Sequence, residues 1–219
     1  MNRSSFLLLV FILYTAPAIA AESHISYLEG TVIITRGQSV LTGDFGMTLI
    51  EGDKISTGTD SLAILEVEGR GTLKMRSETI LILDEIEEVI SVSLTSGGLF
   101  SKIKRLLGVG YEVKTPGVVA GVRGTEFFVA FGQTIEDTPD LWLCVNEGTV
   151  HVALKNTTDS VLVNEGEGIT IPAGNRLTDP RFYSWTEDLN WNTDPDMGEL
   201  VDQTDLDGAY ADLRSFDYD

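Results

Sequence analysis

Chemistry in this 219-residue chain has to start from a short stock of nucleophiles, bases and metal ligands. There are two histidines, His24 and His151, and one cysteine, Cys144. His24 lies close to the N-terminal region. His151 sits inside the alternating run Thr149-Val150-His151-Val152-Ala153-Leu154, with no serine elbow or cysteine near it in sequence. The order Gly-x-Ser-x-Gly, the order His-Glu-x-x-His, a phosphate-cradling glycine loop and a spaced Cys/His set are all missing from the sequence. Paired carboxylates can hydrolyse glycosides, but 34 acidic residues leave no means of singling out a pair. Asp202-Gln203-Thr204-Asp205-Leu206-Asp207-Gly208 is oxygen-rich like a calcium loop. Its spacing fails, because Gln203 would fall on the first ligand position and Arg214 on the twelfth, where a bidentate glutamate is needed. The residues therefore read as a non-enzyme with no catalytic set, no cofactor and no metal.

Binding groups are easier to find. Lys102, Lys104 and Arg105 form the one dense cationic cluster, in Phe100-Ser101-Lys102-Ile103-Lys104-Arg105-Leu106-Leu107, and they suit an acidic partner. The same residues also suit an exposed edge strand that lysine guards against aggregation. Trp185 and Trp191 make a second candidate contact region. Net charge is −19, and a surface of that sign repels phosphate, since nucleic-acid affinity depends on cations that displace counterions. Nucleic acid and anionic membrane surfaces are therefore excluded as partners, and a protein or polysaccharide is expected. Oligomeric state is open.

The elements that must position these groups read as mostly β. Residues 1–20 resemble a leader: Arg3, an apolar run from Phe6 to Tyr14 too short to span a bilayer, then Ala18-Ile19-Ala20 as a cleavage signal. With no cysteine after that run and no later long apolar segment, a stable membrane anchor is not expected. From Ile25 to about Ile171, apolar residues alternate with polar ones and are broken by glycine turns, the pattern of short half-buried strands. Leu141-Trp142-Leu143-Cys144-Val145 reads as a buried strand in which the thiol acts as a small hydrophobe. Leu28-Glu29-Gly30-Thr31-Val32-Ile33 echoes Val145-Asn146-Glu147-Gly148-Thr149-Val150, as stacked rungs or similar hairpins would. The expected architecture is a compact β-solenoid or β-sandwich-like stack. Three segments follow: leader 1–20, β domain 21–174 and acidic extension 175–219. In the extension, Asp179-Pro180 with Phe182, Trp185 and Leu189 predicts a short helix over 180–190. The Asp-rich remainder predicts a flexible tail with a weak helix around 209–216.

Gly30-Thr31-Val32, Glu51-Gly52-Asp53-Lys54-Ile55-Ser56-Thr57-Gly58, Tyr111-Glu112-Val113-Lys114-Thr115-Pro116, Val122-Arg123-Gly124-Thr125-Glu126-Phe127 and Asn146-Glu147-Gly148-Thr149-Val150 follow one another along the chain. In that order they resemble the FecR domain. Gly52, Asp53, Thr57, Gly58, Thr115, Pro116, Arg123, Gly124 and Thr125 are expected to serve structure. Asp53 can bond back to the amides of its own turn, Gly124 suggests a bulge, and Arg123 can reach a carboxylate or carbonyl within the domain. The resemblance implies a bacterial envelope protein. Members of that family relay a siderophore signal through a membrane-spanning helix to an anti-sigma segment, and neither part is expected here. The chain resembles instead free-standing exported members. A periplasmic or secreted interaction module is the main expectation, and a signalling component acting with an outer-membrane receptor or sigma-factor regulator is the alternative.

Overall fold

The computed structural model describes residues 22–105, 110–133 and 140–215, except 68 and 88. The expected leader and Leu106, Leu107 and Gly108 lie outside the described residues. Alternation dictates the strands, and glycines in left-handed conformation turn the chain between them. Seventeen strands result among the described residues, joined in one continuous open sheet that folds over into two layers.

The first layer contains β1 (Ser23–Glu29), β4 (Thr48–Leu49), β6 (Leu62–Val67), β7 (Gly71–Met75), β12 (Glu126–Gln133), β13 (Asp140–Glu147), β16 (Glu167–Ile171) and β17 (Arg181–Phe182). The second contains β2 (Val32–Arg36), β3 (Ser39–Thr42), β5 (Lys54–Thr57), β8 (Ile80–Glu85), β10 (Gly110–Lys114), β11 (Val118–Val122), β14 (Thr149–Leu154) and β15 (Ser160–Asn164). One 15-residue strand, β9 (Val89–Ile103), belongs to both. Its first half pairs with β8 and β10 in the second layer, and its last residues pair with β7 and β12 in the first. The contact of β9 with β10 is parallel, and the other pairings are antiparallel.

The echo noted in the sequence occupies equivalent places. Gly30 (φ 72°) carries the chain from β1 to β2, and Gly148 (φ 88°) carries it from β13 to β14. Each is a crossing from the first layer to the second. The two four-strand runs also pair alike: β1 with β4 and β2 with β3, then β13 with β16 and β14 with β15.

Between the layers, the inward residues of both sheets make one apolar interior that includes Ile25, Ile34, Ile55, Leu65, Leu81, Val92, Phe127, Val129, Leu143, Val152 and Ile171. Burying such side chains at about 1.5–3 kcal/mol each is the main stabilising effect. Cys144 points the other way yet is fully buried, and burial pushes its thiol up to about 12. It belongs to a second cluster on the outer face of the first layer, with Phe100, Phe128, Ala130 and Trp142.

That second cluster is closed by the acidic extension, through residues of the helix expected at 180–190 and of the weak helix expected around 209–216. Tyr183, Leu189, Ala209, Tyr210 and Leu213 are all buried against it. The reason is the spacing of Ala209, Tyr210 and Leu213, which puts one apolar stripe on α2 (Leu206–Ser215). A helix over 180–190 is not formed. Arg181 and Phe182 instead extend the first layer as β17, paired with Gly168 and Glu167, and only α1 (Trp185–Asp188) is helical. Sheet pairing at an open edge outweighs the local helix signal there.

Candidate interaction surfaces

The Gly52–Gly58 block is a turn followed by a rung of the second layer. Gly52 takes φ 84°. Asp53, fully buried, accepts both guanidinium N–H groups of Arg36, Nε at 2.8 Å and Nη2 at 2.7 Å. The Ile50 amide adds a third bond at 3.0 Å, closing the turn. That carboxylate raises the Arg36 pKa by hydrogen bonding. Thr57 is a stitch: its hydroxyl donates to the Arg76 carbonyl at 2.6 Å and accepts from the Thr79 amide at 2.9 Å. The Gly58 amide bonds the Thr31 carbonyl at 2.9 Å. Thr115 is buried and Pro116 exposed, in the turn between β10 and β11. Gly52, Asp53, Thr57 and Gly58 thus shape backbone or fix a buried charge.

The second motif region borders a groove of about 520 Å³. One wall is the end of β9 and its continuation: Lys102, Ile103, Lys104 and Arg105. The floor is the turn before β12. Gly124 adopts φ 73°, and a β-carbon there would stand 2.5 Å from Cβ of Arg105, so only glycine lets the basic segment lie across it. The Ile103 amide bonds the Thr125 carbonyl at 3.0 Å, and the Thr125 amide returns to the Ile103 carbonyl at 3.2 Å. The opposite wall carries Glu147 and Glu165.

Charges in this groove are unevenly matched. Lys102 pairs with the largely buried Glu126 at 3.1 Å, and Glu126 also accepts from Asn146 at 2.6 Å. Lys104 and Arg105 are exposed and form no ion pair among the described residues. Arg123 is likewise exposed, without a hydrogen bond or ion pair to a described residue, so the internal pairing expected for it is not formed. The turn aims it outward, away from the carboxylates.

Trp185 and Trp191 are turned inward. The Trp185 indole N–H donates to Asp212 at 2.7 Å, and that of Trp191 to the Thr186 carbonyl at 2.7 Å. Trp191 also meets Phe100 edge-on, with ring centroids 5.3 Å apart. Both tryptophans are half-buried and occupied in holding the C-terminal segment down.

Sequence reasoning did not single out Lys74 and Arg76. Across the outer face of the first layer, cross-strand partners read Tyr27, Ile64, Lys74, Phe100, Phe128, Cys144. Lys74 is the one cation in an otherwise uncharged row, and it is fully buried. Its ammonium donates to the carbonyls of Asn190 (2.5 Å), Asn192 (2.7 Å) and Leu200 (3.2 Å), and lies 4.4 Å from the Phe100 ring centre. Burial lowers its pKa to about 8. Arg76 donates to the carbonyls of Asp202 and Thr204, each at 3.1 Å, and its Nη1 lies 3.2 Å from the Asp202 carboxylate. Asp202 also accepts from the Asn190 amide and the Thr204 hydroxyl, and Asp205 accepts from the Gly208 amide at the start of α2. The one available signal was the type of residue 74 in a strand whose neighbours are apolar.

The two-layer stack, with its glycine-framed rungs at 52–58 and 122–125, defines an all-β domain. Residues 53–151 match the family described as FecR protein. Two crystal structures of a candidate anti-sigma factor from Parabacteroides distasonis, at 1.65 and 2.50 Å resolution, share the fold with a TM-score of 0.50. Identity is 16%, and the match covers 59% of this chain and 59% of that one. A search of curated proteins finds no match. No helix among the described residues is long and apolar enough to cross a membrane.

Proposed function

We propose that this protein is a non-enzymatic interaction module of the bacterial cell envelope, exported by its leader, which uses a FecR domain to hold a protein partner. The observation that carries this reading is the groove beside Gly124. Lys104 and Arg105 line it, exposed and without an ion pair among the described residues, in a chain of net charge −19. Opposite charge speeds encounter and fixes orientation more than it adds affinity, so an acidic segment of a partner is the fitting ligand. The FecR match supports an envelope setting and a regulatory rather than catalytic use.

The test is capture from envelope extracts with the intact protein and with a Lys102/Lys104/Arg105→Glu variant. A protein held by the first and lost by the second is expected. Capture of nothing by either, or of the same proteins by both, would remove the basis for the groove. The candidate anti-sigma factor of like fold supports signalling as one use of such a module. A neighbouring gene for a sigma factor or outer-membrane receptor separates that use from a passive scaffold.

A further inference from the structure

The C-terminal segment 183–213 covers the outer face of the first layer in a way that an evolved permanent seal would not need. Three features set it apart. First, the face it covers is aromatic, Phe100, Phe128 and Trp142, but its centre holds two cations, Lys74 and Arg76. Apolar residues at 74 and 76 would seal the same face without the desolvation that burying each cation requires. Second, the closed arrangement leaves Nε1 of the fully buried Trp142 without a hydrogen-bonding partner among the described residues, and a buried donor without an acceptor favours any state that wets it. Third, the segment carries nine acidic residues and no basic one on a body that is itself acidic, so its long-range electrostatics oppose docking.

The turn that leaves β16 is fixed by close packing. Ala173 and Gly174 both take left-handed conformations, at φ 52° and 61°. Gly117 lies so close to the Gly174 carbonyl that a β-carbon on it would stand 1.9 Å away. Asp140 accepts from the Ala173 amide at 2.6 Å and from the Tyr210 hydroxyl, so one buried carboxylate ties the bend to α2. Between α1 and α2 the segment is irregular apart from one short turn at Pro195–Met197. It offers the sheet chiefly carbonyl oxygens and one carboxylate.

From this arrangement we infer that residues 183–213 are a strap that opens as a unit beyond β17 while the β-sandwich, β17 included, stays folded. The face beneath is a docking site for an extended acidic segment of a partner protein, which the strap occupies in cis. The incoming segment must supply what the strap supplies: carbonyls for Lys74, a carboxylate for Arg76 and an apolar side chain against Phe100. This face is separate from the Gly124 groove, and its test does not depend on that groove.

Hydrogen exchange on the intact protein reads the opening directly. Strap amides are expected to exchange together, roughly tenfold or more faster than those of β9 and β12, as a sub-global unit. Exchange of the strap only at the rate of the β9 core would overturn the proposal. The docking half is read with a labelled synthetic peptide of residues 183–213. It is expected to bind an Asp202→Ala chain, whose own strap is weakened, at least about tenfold more tightly than the wild-type chain, since apparent affinity scales with the open population. Adding Lys74→Glu, which sets a carboxylate against the acidic peptide, should remove that binding while circular dichroism stays that of the Asp202→Ala chain, and a scrambled peptide of equal charge should not bind. Failure of the peptide to bind the Asp202→Ala chain, or equal binding by the scrambled peptide, would overturn the docking site.

Discussion

Replacing Asp53 with alanine tests whether the FecR motif is held together by a buried charge. The carboxylate is fully enclosed and accepts three bonds, two from Arg36 and one from the Ile50 amide. The Arg36 side chain is 35% exposed, so solvent screens the fork, and its contribution belongs near the low end for charge-assisted bonds, about 1.5 kcal/mol. Losing the amide acceptor adds about 1 kcal/mol, and the vacated volume adds a little more. The expected loss for Asp53→Ala is therefore about 2–4 kcal/mol. Arg36→Met should cost at least as much, because it leaves an ionised carboxylate enclosed with one amide partner, a case worth about 3–5 kcal/mol. The double variant should then be more stable than the sum of the single losses implies, by about 1.5–3 kcal/mol. Urea unfolding followed by tryptophan fluorescence measures all four proteins, with an unchanged denaturant slope as the control. A loss under about 0.5 kcal/mol for Asp53→Ala, or strictly additive singles, would refute the argument.

Other expectations follow from the same geometry. Gly124→Ala should destabilise by about 1–3 kcal/mol, since it adds a close contact with Arg105 to left-handed strain. Gly37→Ala, with open space around a φ of 59°, should cost only about 1 kcal/mol, and equal losses at the two sites would contradict the packing described. Lys74 holds its proton less firmly when folded, at about 8 against 10.5. From pH 8 to 10.5 the unfolded chain therefore binds more protons, and stability rises with pH by up to about 3 kcal/mol relative to Lys74→Met; a flat difference between pH 7 and 9.5 in paired urea titrations would count against burial of that amine. Cys144, pushed up to about 12 and fully buried, should resist thiol reagents at pH 8 until urea unfolds the chain. Strap amides should exchange more slowly in 0.5 M sodium chloride, because salt screens the like-charge repulsion and leaves the enclosed Lys74 and Arg76 contacts largely intact.

Strand content was readable because alternation and glycine spacing act locally. The Glu-Gly-Thr echo at residues 29–31 and 147–149 could be seen, and both copies mark a crossing between layers. What could not be read was the destination of the C-terminal residues. Their acidity suggested free solution, but Tyr210 and Leu213 find apolar partners more than sixty residues away in sequence, on β12 and β13. Arg181-Phe182 shows the same limit, because a sheet edge made by Glu167-Gly168 overrode a helix-start signal. Residue type alone suggests Trp185 and Trp191 as surface contacts, and only the fold shows their indoles bonded inward. Lys74 escaped notice for the converse reason: a lysine in a strand suggests solvent until three carbonyls from distant sequence surround it.

The passage of β9 from one layer to the other gives the sandwich a common keel. Its backbone ladders reach β8 and β10 in one sheet and β7 and β12 in the next. Peeling either sheet open at its middle must tear rungs from the rib that also anchors its neighbour. The layers are thus bound to fail together, and tension applied to the domain would meet a single shared girder.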